Sequence, residues 1–127
     1  MMFYAYEDFE KDVKFLAKKV KEEFAPDALV AIARGGLSLG HSLAVALKTR
    51  NLFALNSIHY DDTKKLDSVE VFNIPNLSAY KRILKAKFPH IELKIATIFY
   101  KKTALLQPEF SVKEASEWVE FYWDIEL

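Results

Sequence analysis

The sequence has no cysteine, only three glycines, and 18 acidic residues that balance 18 basic ones. Without cysteine there are no disulfides, thiolate metal sites or cysteine nucleophiles. A net charge of zero provides no bulk field to draw the chain to nucleic acid or an anionic membrane. No apolar run approaches the roughly 18 residues of a membrane span. The first residues, MMFYAYEDFEKD, lack a basic stretch followed by an apolar one. The expectation is a soluble, cytoplasmic protein with neither nucleic acid nor membrane as partner. Average glycine usage of about 7% would give about nine in a chain of this length. The three present are Gly35, Gly36 and Gly40, which predicts that backbone freedom or close approach is needed at one place.

What the chain does contain is 51% hydrophobic and 28% charged residues over 127 positions. That is one domain, large enough to bury about two-thirds of its extended surface. Phe9, Val13, Leu16, Val20 and Phe24 form one stripe of a helix predicted over 6–24, ended by Ala25-Pro26-Asp27. Ala28 to Ala33 is an uninterrupted apolar run closed by glycines, which reads as a parallel-sheet strand buried on both faces. A helix is predicted from about Ser38 to Thr49, and a second strand over Leu52 to Tyr60. A third is predicted around Val69 to Ile74, a helix over Tyr80 to Phe88, and a last core strand over Ile91 to Tyr100. Strands alternating with helices predict an α/β fold, a mostly parallel twisted sheet flanked by helices. Residues 1–100 form its core. The tail, 101–127, holds both tryptophans and reads as a small C-terminal lobe.

A buried strand, then Arg34-Gly35-Gly36-Leu37, then a helix makes a physically sound anion site. Backbone N–H groups, a helix N-terminus and a guanidinium would converge beyond the carboxyl end of a strand. A phosphate or pyrophosphate is the natural guest. The pattern is neither a Walker A loop nor the dinucleotide fingerprint. A tight turn with a surface arginine is the plain alternative. His41, His59 and His90 lack metal-ligand spacing and read as ordinary polar positions. Lys11, Lys14, Lys18, Lys19 and Lys21, interleaved with acids, read as a solvated helix face.

The stretch ALVAIARGGLSLGHSLAVAL resembles the first strand, pyrophosphate loop and following helix of the type I phosphoribosyltransferases. KIATIFYKK followed by SEWVEFYWDIEL is similar to the end of their purine branch, the xanthine-guanine and hypoxanthine-guanine enzymes. The resemblance runs from about Tyr4 to Asp124. It implies transfer of ribose-5-phosphate from phosphoribosyl pyrophosphate to a 6-oxopurine, a pentosyl transfer of purine salvage, with Mg²⁺ on the pyrophosphate and a possible homo-oligomer. By the resemblance, Arg34, Gly35 and Gly36 bind pyrophosphate, and Lys101 donates to the purine's exocyclic oxygen. Trp118 stacks on the base, Val119 meets its edge through the backbone, and Asp124 is a further acid of the hood, as the C-terminal lobe is called in this family. Tyr60, Asp61, Asp62 and Thr63 fall where the mobile loop belongs.

One family motif is lacking. An apolar strand, two acids and a Thr/Ser/Gly-rich loop should cradle the ribose-5-phosphate and carry the catalytic acids. Here Asn73-Ile74-Pro75-Asn76-Leu77-Ser78 runs straight into the helix that starts near Ala79. About twenty residues would restore the family pattern. No catalytic residue and no metal ligand is therefore assignable, and Asp61-Asp62, the only adjacent acid pair, is no substitute. Either this chain omits a segment that the natural protein has, or the protein has lost that half of the site and is a nucleotide- or phosphate-binding module. Intact patterning on both sides favours omission.

Overall fold

The computed structural model describes residues 1–56 and 77–127, the side chains at 77–80 and 83 excepted. The predicted third strand and the loop residues Tyr60, Asp61, Asp62 and Thr63 lie outside the described residues, as does the end of the predicted second strand.

The order is β1 (Met2–Tyr4), α1 (Tyr6–Glu23), β2 (Leu29–Ile32), α2 (Gly35–Ala46), β3 (Leu52–Leu55), α3 (Leu77–Lys87), β4 (Phe99–Tyr100), β5 (Lys113–Glu114) and β6 (Val119–Phe121). Every described ladder is parallel: β1 with β6, β2 with β3, β4 with β5. Parallel neighbours need crossover connections, and β2–α2–β3 supplies one in a single local unit. The fold is α/β, as the alternation of elements predicts.

The stripe on α1 forms the core as expected, with Phe9, Val13, Leu16 and Val20 buried beside Tyr4, Leu43, Ile98 and Phe110. The helix ends where Ala25 turns left-handed at φ 51°, with the amides of Phe24 and Ala25 both donating to Val20 O. Lys48, at φ 58°, closes α2 in the same way. No described glycine has positive φ. Of the two needs expected at the glycines, backbone freedom or close approach, left-handed backbone is met elsewhere, at Ala25 and Lys48.

Three further expectations change. β2 is not buried on both faces, since Ala31 is buried but Val30 is 41% exposed. Among the described residues β2 pairs with β3 alone, and its other edge has no neighbouring strand to cover it. α2 begins at Gly35 rather than near Ser38. The last core strand is short. Residues 95–98 join the 110–113 segment through a bridge from Ala96 to Phe110 and individual hydrogen bonds, and only Phe99–Tyr100 is regular strand.

The C-terminal segment returns to pack on the first helix. Phe121 and Trp123 stack with centroids 4.6 Å apart, and Trp123 meets Phe9 edge-on at 5.3 Å. Tyr4 touches Phe9, Phe99 and Phe121 edge-on. The strand ends at Phe121, where Asp124 N donates to Phe121 O at 2.9 Å and turns the chain.

Candidate functional site

The anion half begins at the carboxyl end of β2. Gly35 and Gly36 are the first residues of α2, so their amides belong to the first turn and have no intrahelical acceptor. Neither amide has a hydrogen-bond partner among the described residues. Leu37 N donates to Arg34 O at 3.0 Å, so the third amide expected for an anion is occupied within the turn. Arg34 is exposed and makes no ion pair among the described residues. The Ala33–Arg34 peptide bond is cis.

The three glycines have different reasons to be there. A Cβ on Gly35 would meet nothing within 4 Å, and one on Gly36 would only touch Ile32 Cβ at 3.8 Å. A Cβ on Gly40 would stand 2.6 Å from Ala31 Cβ. Gly40 therefore lets α2 lie close on β2, while the backbone at Gly35 is left bare toward solvent.

The second group of residues lies on β6 and at the end of β4. Trp118 is 61% exposed, and its ring stacks on no other ring among the described residues. The other aromatics of the segment, Phe121, Tyr122 and Trp123, fill the aromatic cluster instead. Trp118 O accepts from Met2 N, and Tyr122 N donates to Tyr4 O, both at 3.0 Å. Groups of residues 118, 120 and 122 thus face β1, and those of 119 and 121 face the other edge. On that edge Phe121 N donates to Asp124 Oδ2 at 3.0 Å and Phe121 O accepts from Asp124 N. Among the described residues, Val119 keeps its N–H and C=O without a partner there. Asp124 is accordingly engaged in shaping the turn.

Lys101 follows directly on Tyr100, whose carbonyl accepts from Ala115 N at 2.8 Å. Its ammonium has no anionic partner among the described residues, whereas Lys102 Nζ lies 3.6 Å from Glu114 Oε1. The loop after Lys101 is shaped by Gln107, whose Nε2 donates to the carbonyls of Lys101 at 2.9 Å and Ala104 at 2.8 Å. Sequence reasoning passed over Gln107, and nothing in its spacing marks it. Asp12 was also passed over, although it does carry a signal: an acid on the 9-13-16 stripe of α1, where a solvated side chain is not expected.

The sequence-predicted residues thus fall into two groups. Arg34, Gly35 and Gly36 sit past the carboxyl end of β2, at the start of α2. Lys101 sits beside β4–β5, and Trp118, Val119 and Asp124 on β1–β6. As for the implied Mg²⁺, no three His, Asp or Glu side chains gather as a cation site among the described residues. These residues do not fit a protein-held ion. No helix among them is long and apolar enough to cross a membrane.

This architecture, with a glycine turn opening the helix after a parallel strand and an aromatic C-terminal segment, is that of the type I phosphoribosyltransferases, and the chain resembles their purine branch. A xanthine-guanine-hypoxanthine phosphoribosyltransferase from Helicobacter pylori is similar over 97% of this chain and 94% of its own, with 29% identity and a TM-score of 0.80. A purine phosphoribosyltransferase from Pyrococcus horikoshii matches 99% of this chain and 95% of its own, at 20% identity and a TM-score of 0.79, a likeness of fold. No family model and no curated protein matches the sequence.

Proposed function

We propose that the protein is a purine phosphoribosyltransferase, transferring ribose-5-phosphate from phosphoribosyl pyrophosphate to a 6-oxopurine in purine salvage. The observation that carries this reading is the turn at Arg34: two amides and a guanidinium without partners among the described residues, at a helix N-terminus beyond the carboxyl end of a parallel strand.

In the proposed reaction the bond from ribose C1 to a pyrophosphate oxygen breaks, and its electron pair leaves with pyrophosphate. A purine ring nitrogen bonds to C1, and its proton passes to water. The Gly35 and Gly36 amides, the α2 dipole and Arg34 would hold the charge that grows on the leaving group. The 101–127 hood would receive the base. The bare indole of Trp118 offers a stacking face worth roughly 1–3 kcal/mol. The N–H and C=O of Val119 would offer one donor and one acceptor to the purine edge, and the ammonium of Lys101 a donor to its exocyclic oxygen. Asp124 belongs to this group through the turn it holds.

A second reading is favoured by the lack of the ribose-phosphate motif: a binding module that keeps the anion turn and hood without turnover. The two separate in one assay. Guanine and phosphoribosyl pyrophosphate with Mg²⁺ release pyrophosphate if the protein is an enzyme. A binding module is instead stabilised against heat by guanosine monophosphate and releases none. Trp118→Ala should weaken the nucleotide by the stacking energy, about 5- to 150-fold. No thermal shift with any of these ligands, and none lost in Arg34→Ala, would exclude both readings.

A further inference from the structure

Asp12 is the only charged side chain buried among the described residues, at 4% exposure. A buried carboxylate is costly unless it is paired and hydrogen-bonded. One oxygen of Asp12 meets both needs. Oδ2 accepts from the Tyr4 hydroxyl at 2.6 Å and lies 3.0 Å from Lys113 Nζ. That ammonium also sits 5.3 Å from the centroid of the Tyr4 ring. The three groups come from three elements: α1, β1 and β5.

We propose that Asp12 is a positioning residue, fixing the strand that carries Trp118 and Val119. This rests on the functional reading above only for what that strand does. Tyr4 is paired in register with Phe121, and β1 holds β6 from both ends through Met2 N to Trp118 O and Tyr122 N to Tyr4 O. Lys113 stands on β5, shortly before Trp118 on the chain. A single carboxylate oxygen therefore ties the strand beneath β6 to the strand that leads into it, and anchors both to the most buried helix. An apolar contact tolerates sliding, whereas two charge-assisted hydrogen bonds to one atom do not. A stacked base and an edge hydrogen bond need placement to about half an ångström, which this arrangement supplies. As a buried pair adds little net stability over an apolar replacement, holding a register is the better account of its presence.

The test uses Lys113→Met, which removes one arm at a partly exposed position and leaves Tyr4 packed, with Lys113→Arg as rescue and Asp12→Asn as the stronger variant. Hydrogen exchange is followed at the Tyr122 amide and across α2. Affinity is measured for guanosine monophosphate and, separately, for pyrophosphate. In Lys113→Met and Asp12→Asn the Tyr122 amide should exchange about ten-fold faster while α2 is unchanged. The nucleotide should bind about ten-fold more weakly, and pyrophosphate within two-fold of wild type. Lys113→Arg should restore both. Unchanged Tyr122 exchange, or equal acceleration in α2, overturns the proposal, as does unchanged nucleotide affinity in a wild type that binds the nucleotide. A wild type that binds no nucleotide defeats the functional reading instead, and the exchange comparison alone then decides whether Asp12 fixes the strand.

Discussion

Alanine substitutions at Gly35, Gly36 and Gly40 should separate close packing from ligand access within a single helix. At Gly40 the added Cβ stands 2.6 Å from Ala31 Cβ. Both atoms are bonded directly to backbone, so no rotamer change relieves the contact and α2 must lift from β2. Overpacking of this kind costs roughly 1–3 kcal/mol, and the upper end applies where neither atom can give. Alanine's better helix propensity returns about 1 kcal/mol. The net is a loss of about 2 kcal/mol, or about 8 °C in Tm at this chain length. Gly35→Ala meets nothing within 4 Å and requires no positive φ. It should leave stability unchanged or raise it by about 0.5 kcal/mol through a less free unfolded chain. Gly36→Ala, with ordinary contacts at 3.8 Å, belongs with Gly35 in stability. Pyrophosphate binding should reverse the order: Gly35→Ala weakens it about ten-fold, and Gly40→Ala has little effect at temperatures where the fold persists. Urea unfolding and calorimetric titration measure both. A Gly40→Ala protein as stable as wild type refutes the packing argument, and a Gly35→Ala protein that binds pyrophosphate normally refutes the anion turn.

Lys101→Ala should weaken guanosine monophosphate about ten-fold in the same titration, while Lys102→Ala, which loses only an exposed ion pair with Glu114, stays within two-fold. Lys48→Gly should raise stability by about 0.5–1 kcal/mol in urea unfolding, because it relieves a left-handed lysine at φ 58° while keeping the backbone bonds that end α2. Burial, with the Asp12 carboxylate that its hydroxyl meets, raises the Tyr4 phenol above its ordinary value. The unfolded chain then releases this proton from about pH 10 while the fold retains it. The Tyr4 contribution is therefore intact below that pH and lost as the pH rises beyond it. Tyr4→Phe should be less stable than wild type at pH 8 by about 1–2 kcal/mol, and the gap should narrow above pH 10 in unfolding curves taken at a series of pH values.

Much of this architecture is legible in the residues because it rests on periodicity. The α1 stripe from Phe9 to Val20 needs no tertiary information, and neither does the strand–glycine–helix order at 29–46. The errors come from context. Val30 is as apolar as Ala31, yet one is exposed and the other buried, because the two face opposite sides of the sheet and α2 lies on the Ala31 side through Gly40. No local pattern records which neighbours a strand has. Ala25 and Lys48 adopt left-handed backbone where glycine is absent, since the helices they end are held by packing that outweighs about 1 kcal/mol of strain. In the candidate site, Arg34 and the glycines announce themselves by residue type. The difference between Lys101 and Lys102 is set by Glu114, thirteen and twelve residues away along the chain, and is invisible until β5 is placed beside β4.

The pairing of β1 with β6 joins Met2 to Val119, two strands at opposite ends of the chain. The β2–α2–β3 unit, in contrast, closes within 27 residues, from Leu29 to Leu55. Loop-closure entropy makes such distant pairings the slow ones. The two groups of site residues therefore have different histories in every molecule. The turn at Arg34 can form as soon as its own local unit is complete. The strand beside Trp118 has to find a partner 117 positions away along the chain, so the placement of Trp118 and Val119 is settled later than that of Arg34.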